Sequence, residues 1–262
     1  MSTATRKEAN HITTSDTPSR PKPHPLGGRV RLAGCLVVTA ALAPPVWIAG
    51  RLIEGADGVE AVVAPFLLTL WALCSAAMIA ALEAHPHPRF GPANMLTALR
   101  AAGTVVLAGY ALAPEAVAAT GRLVPIALAA LLLAADGVDG AIARRSGLAS
   151  PYGARFDVEV DAALTLVLSL LTWRLGHAGP EILFLIAPYY IFCLLRQSLP
   201  WLGGSLPPSA LRKAVCVLQV ATPIALLVLD APPPIGRALT FIAFAAIFWS
   251  FGRDVIRLHR RR

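Results

Sequence analysis

Asp136-Gly137-Val138-Asp139-Gly140-Ala141-Ile142-Ala143-Arg144, followed after eight residues by Gly153-Ala154-Arg155-Phe156-Asp157-Val158-Glu159-Val160-Asp161, is the stretch on which the reading of this chain turns. Asp136, Asp139, Gly140, Ala143 and Arg144 fall at i, i+3, i+4, i+7 and i+8, so a helix gathers them on one face. Gly153, Asp157 and Asp161 recur every four residues and form a stripe on the next helix. Ser150-Pro151 between the runs marks a tight turn, so the two stripes can face each other across an antiparallel pair. Both helices continue into apolar sequence, and an ionisable residue at membrane depth is costly enough to be a functional hypothesis by default.

Four carboxylates in one pocket repel, and two of them would have to hold protons. A divalent cation removes the conflict. An all-oxygen, hard donor set suits Mg²⁺, Mn²⁺ or Ca²⁺ and does not suit zinc or copper. Gly140 and Ala143 leave room for a ligand to approach the backbone, and Arg144 can pair with a phosphate. Cations, an open groove and a guanidinium together describe a pyrophosphate site. An EF-hand is excluded, because no Asp-x-Asp-x-Asp-Gly loop ending in Glu is present.

The rest of the chain agrees with a lipid-solvated setting. Of the 262 residues, 56% are hydrophobic and only 15% charged, with a mean hydropathy of +0.64. A soluble domain of this size needs a more charged surface. The net charge of +8 sits between apolar runs and not on one soluble face, which argues against a nucleic-acid partner. Cys35, Cys74, Cys193 and Cys216 each lie in an apolar run with no CxxC pair, so they read as buried small hydrophobes and neither zinc ligands nor disulfides.

A helix crossing about 30 Å of hydrocarbon needs about 20 apolar residues. Eight runs qualify, at roughly 32–50, 61–82, 95–113, 121–143, 156–175, 181–199, 211–229 and 236–252, which predicts an all-α polytopic membrane bundle. Pro44-Pro45 is expected to kink the first span. Residues 1–31 are polar and basic and read as a disordered cytoplasmic tail. With both termini in the cytoplasm, the inside segments hold 19 of the 23 Lys and Arg residues; only Arg51, Arg122, Arg174 and Arg237 fall outside. That asymmetry is the positive-inside pattern, and it puts the aspartates at the cytoplasmic end of a bacterial-type inner or plasma membrane.

The pattern Asp-x-x-Asp-Gly-x-x-Ala-Arg, eight residues, Gly-x-x-x-Asp-x-x-x-Asp resembles the signature of the CDP-alcohol phosphotransferases (CDP-alcohol phosphatidyltransferases) without a departure across residues 136–161. Asn94-Met95-Leu96-Thr97-Ala98-Leu99-Arg100 is similar to the Asn, Thr and Arg that open the first core helix of that family; N-capping by Asn94 or Thr97 is the plain alternative. The resemblance implies a six-helix catalytic domain over residues 83–258, preceded by two accessory transmembrane helices at 32–82 and followed by a basic end at 259–262. It implies a homodimer. It also implies that a CDP-alcohol, CDP-diacylglycerol foremost, binds with its pyrophosphate on Mg²⁺ or Mn²⁺, that an acceptor alcohol attacks the β-phosphorus, and that CMP leaves, as in phospholipid biosynthesis. By that resemblance Asp136, Asp139, Asp157 and Asp161 hold metal, and Asp161 is also the general base. Asn94, Thr97, Gly140, Ala143, Arg144 and Gly153 would border the CDP moiety.

The acceptor is not legible. Arg155, Arg196, Arg212 and Lys213 fall on the cytoplasmic side, where an anionic acceptor could dock. Asp161 is followed by Ala162-Ala163, which departs from the lysine common in phosphatidylglycerophosphate synthases and from the arginine common in inositol-phosphate enzymes. His85-Pro86-His87-Pro88 reads as a turn and not as a metal site. A transporter using the aspartates as an ion or proton relay is the competing reading; it predicts internal repeats and polar groups at mid-bilayer, and the sequence has neither.

Overall fold

The computed structural model describes residues 25–55, 61–204 and 209–260. Among them every regular element is helical. The α-helices are α1 (Pro25–Glu54), α2 (Val63–Ala80), α3 (Pro92–Leu112), α4 (Ala116–Thr120), α5 (Leu123–Ser146), α6 (Pro151–Arg174), α7 (Ala187–Ser198), α8 (Ala210–Leu229) and α9 (Pro233–His259). Short 3₁₀ turns occupy Ala81–Ala84, Pro180–Ile186 and Pro200–Gly203.

Among the described residues six segments are long and apolar enough to cross a bilayer: Gly28–Glu54, Val63–Ala84, Pro92–Leu112, Pro180–Ser198, Ala210–Leu229 and Pro233–His259. The chain is therefore an integral membrane helix bundle. α5 and α6 are each 24 residues long, about 36 Å at 1.5 Å per residue. They match the other two expected crossings in length: α5 is apolar over Leu123–Val138, and α6 carries Asp157, Glu159 and Asp161 in its first half. The surface agrees with lipid: Val37, Leu52, Leu131, Leu194 and Trp249 are each at least 64% exposed, a pattern that would be an aggregation hazard in water.

Three sequence expectations change in detail. α1 begins at Pro25, inside the stretch read as tail, and residues 1–24 lie outside the described part. The span expected at 181–199 opens as a 3₁₀ turn and becomes α-helical only at Ala187. Pro188 has no N–H to give and forbids an earlier α-ladder there. Of the cysteines only Cys35 is buried; Cys74 and Cys193 are half-buried and Cys216 is exposed, all as free thiols.

α3 is the central helix. It packs broadly on both α5 and α6, which touch each other little among the described residues. Its small residues Ala101, Ala102, Ala108 and Ala111 are buried and allow the close approach that drives helix association in lipid. One core joins α1, α2, α3, α5, α6 and α8 around Trp71, Leu107, Leu164 and Leu168. A second joins the Pro180 turn, α8 and α9 around Ile182, Leu226 and Ile247.

The helices alternate in direction, so the connections sort into two ends. At one end Arg31, His85 and Ser150 meet, and Trp201 packs edge-on against His259. At the other Arg122 pairs with Asp230 at 2.9 Å and Arg237 with Glu181 at 3.5 Å. The first of these ends carries the aspartates.

Candidate active site

α5 stops at Gly147, whose φ of +66° is the left-handed conformation that closes a helix at least cost to glycine. Three residues later Ser150 caps α6, its side-chain oxygen accepting from Gly153 N at 3.0 Å, with Pro151 at the first helical position. This tight turn sets the register of the Gly153-Asp157-Asp161 stripe.

Asp136 from α5 and Asp157 and Asp161 from α6 each turn a carboxylate oxygen to one point, the three lying within 4.8 Å of one another. Each carboxylate keeps about a third of its surface exposed, at 30%, 33% and 36%. The gap between them is filled from α3. Arg100, only 1% exposed, pairs with Asp136 at 3.0 Å and with Asp157 at 2.5 Å, and also bonds Asp161. In the sequence Arg100 stands out only as part of a helix start, and this role is not evident there. The signal is indirect: a lone guanidinium inside an apolar helix has to find counter-ions.

Three carboxylates face one guanidinium here, an excess of acidic oxygen donors over fixed positive charge among these groups. Such oxygen donors fit a hard divalent cation, and Asp136, Asp157 and Asp161 are the residues that would hold it. The side chains of Asp139, Gly140, Ala143 and Arg144 lie outside the described part; their backbone continues α5.

Asn94 and Thr97 do not cap α3. Gly91 is the N-cap and Pro92 opens the helix, so both residues lie inside its first turns and are buried. Asn94 Nδ2 donates to the Phe90 carbonyl and Thr97 Oγ1 to the Ala93 carbonyl. Asn94 also fixes why position 153 is glycine: a Cβ there would sit 2.8 Å from Asn94 Oδ1. α3 and α6 thus approach closely one turn before Asp157.

The four basic residues expected near an acceptor separate. Arg155, Arg196 and Lys213 are exposed. Arg212 is half-buried and pairs with buried Asp254 of α9 at 3.2 Å. Arg212 is thus the one of the four that is not exposed. His85 and His87 are held by hydrogen bonds in the connection before α3.

A sequence model described as CDP-alcohol phosphatidyltransferase matches residues 90–250. The match begins just before α3, leaves α1 and α2 outside and ends within α9. Comparison with curated proteins and with solved structures returned no match.

Proposed function

The chain belongs to the CDP-alcohol phosphatidyltransferase family, and from that premise we propose that it transfers a phosphatidyl group from CDP-diacylglycerol to an acceptor alcohol, releasing CMP, in phospholipid biosynthesis. The observation that carries this reading is the convergence of Asp136, Asp157 and Asp161 from two helices on one point beside Arg100. Structural salt bridges do not need three carboxylates around one arginine.

In this reading Asp136, Asp139, Asp157 and Asp161 hold Mg²⁺ or Mn²⁺. The metal, when bound, neutralises charge on the phosphate oxygens. Arg100 offsets the carboxylates before substrate arrives and keeps the α3, α5 and α6 ends together. Asn94, Thr97, Gly140, Ala143, Arg144 and Gly153 border the CDP moiety, with Arg144 able to bind a phosphate oxygen in fork geometry. Asp161 takes the proton of the acceptor hydroxyl. That oxygen bonds to the β-phosphorus, the bond from the β-phosphorus to the CMP oxygen breaks, and CMP leaves with the electron pair. Catalysis of this kind is chiefly positioning and charge compensation.

The site shares an end of the bundle with the start of α1 and the end of α9, and with the basic segments of the sequence, which supports a cytoplasmic active site and cytoplasmic termini. Among the basic candidates Arg212 is the acceptor contact to test first, ahead of Arg155, Arg196 and Lys213. A homodimer belongs to the same reading.

The deciding experiment is a CMP-release assay on purified protein with CDP-diacylglycerol, Mg²⁺ or Mn²⁺, and a panel of acceptor alcohols. CMP release dependent on one acceptor is the expected result. Absence of release with every acceptor, together with no binding of the CDP-alcohol, would overturn the reading.

A further inference from the structure

The connection between the accessory helices and α3 contains one side chain that reaches the catalytic-end cap of α6. His85 is fully buried, at 0% exposure. Its Nε2 lies 2.8 Å from the Arg89 carbonyl. A carbonyl only accepts, so Nε2 carries the proton and Nδ1 is left as an acceptor. Nδ1 lies 2.9 Å from Ser150 Oγ, which therefore donates to it. The same hydroxyl accepts from Gly153 N. A serine hydroxyl rotates freely on its own; here the imidazole fixes its proton and aims a lone pair at the first turn of α6.

The accessory helices hold His85 from behind. Arg31 of α1 donates to the His85 carbonyl. Tyr152, in the same first turn of α6, donates to the Met78 carbonyl of α2 at 3.2 Å, and its ring lies 5.3 Å from that of His85. Cys35, Met78, Leu82, Phe90 and Tyr152 close a small apolar cluster around these bonds, separate from the main core. α1, α2 and the segment after them thus converge on residues 150–153, one to two turns before Asp157.

We propose that His85 is a positioning residue: through Ser150 it fixes the first turn of α6, and with it Asp157 and Asp161, so that the α1–α2 pair serves as a brace for the transfer site. The catalytic consequence rests on the proposed function; the brace itself does not.

The test uses the full-length protein in detergent with His85→Ala, Ser150→Ala, the double variant and His85→Asn. Asn at 85 keeps an oxygen able to accept from Ser150. Three readouts are taken: hydrogen exchange over residues 151–157, kcat and KM for CMP release, and unfolding temperature. In His85→Ala and Ser150→Ala, exchange in the first turn of α6 speeds up and kcat falls between about 10- and 100-fold, by more than any change in KM. The double variant is no worse than Ser150→Ala, because the histidine acts through the serine, and His85→Asn recovers most of the loss. Unchanged exchange over 151–157 in His85→Ala overturns the brace. Losses that multiply in the double variant, or a kcat that is normal once corrected for folded fraction, overturn the positioning role. If the wild type releases no CMP, the proposed function fails instead, and the exchange comparison still decides the brace.

Discussion

Arg100 Nη1 on α3 lies 2.5 Å from Asp157 Oδ1 on α6, and the same guanidinium reaches Asp136 on α5. α3 is thereby the electrostatic keystone between α5 and α6, which barely touch among the described residues. Replacing Arg100 by Ala leaves three carboxylates facing one another. The expected cost is about 2–3 kcal/mol, at or below the lower end for breaking a buried pair because each carboxylate keeps some solvent. It is read as a lower unfolding temperature in metal-free detergent solution.

The same variant carries a second, less obvious expectation. Arg100 competes with any cation for the carboxylate oxygens, so its removal should raise affinity for Mg²⁺ while activity falls. Titrating Mg²⁺ against unfolding temperature compares the two proteins directly. A weaker Mg²⁺ response in Arg100→Ala than in wild type would mean that the guanidinium helps to build the cation site and does not compete with it.

Chelation should abolish CMP release by the wild type, and Mg²⁺ or Mn²⁺ should restore it. A ligand bound only by the folded state stabilises by about 2.7 kcal/mol at a hundredfold excess over its dissociation constant, so the chelated protein should also unfold at lower temperature. Asp157→Asn should lose that metal-dependent stabilisation. Asp161→Asn should lose turnover by about 10²- to 10⁴-fold, the range for a general base, with CDP-alcohol binding retained. Full turnover in the Asn variant would move the base elsewhere.

Much of this site could be read from spacing, because helical periodicity turns sequence offsets into faces. The aspartates on 136 and on the 157–161 stripe are indeed neighbours, and the eight apolar runs agree with the long helices, with boundaries shifted by a few residues and the 181–199 run divided into a 3₁₀ turn and α7. What periodicity cannot supply is the third helix. Nothing local to Arg100 says that α3 inserts between α5 and α6, since that depends on which small-residue faces pack together. The same limit hid the contact between positions 94 and 153, which are far apart in sequence and adjacent only across that packing.

Gly153→Ala tests that adjacency. Helical propensity alone favours alanine by about 0.5–1 kcal/mol. The added Cβ would lie 2.8 Å from Asn94 Oδ1, and Asn94 is buried and tied to Phe90, so it has little room to retreat. Overpacking should win, with a net loss of about 1–2 kcal/mol. Combining Gly153→Ala with Asn94→Ala should recover part of that loss in unfolding temperature. A single variant more stable than wild type would show that α3 and α6 separate at no cost.

Stability should also depend on pH through His85, which lies in the connection outside the crossing helices. Burial pushes its pKa below the usual 6.5, opposed in part by the hydrogen bond to the Arg89 carbonyl, with His87 and Arg31 adding to the depression. The folded state therefore resists protonation more than the unfolded chain does. The unfolded chain binds the extra proton as pH drops, so the stability present above the unfolded pKa is lost progressively below about 6.5 and is fully lost below the folded pKa. Wild-type unfolding temperature should fall from pH 7.5 toward pH 5, by an amount that His85→Asn does not share. His87 remains in both proteins, so the difference between the two curves isolates His85. Parallel curves would mean that the imidazole is protonated as easily in the folded protein as in the unfolded chain, contrary to its burial against Arg31.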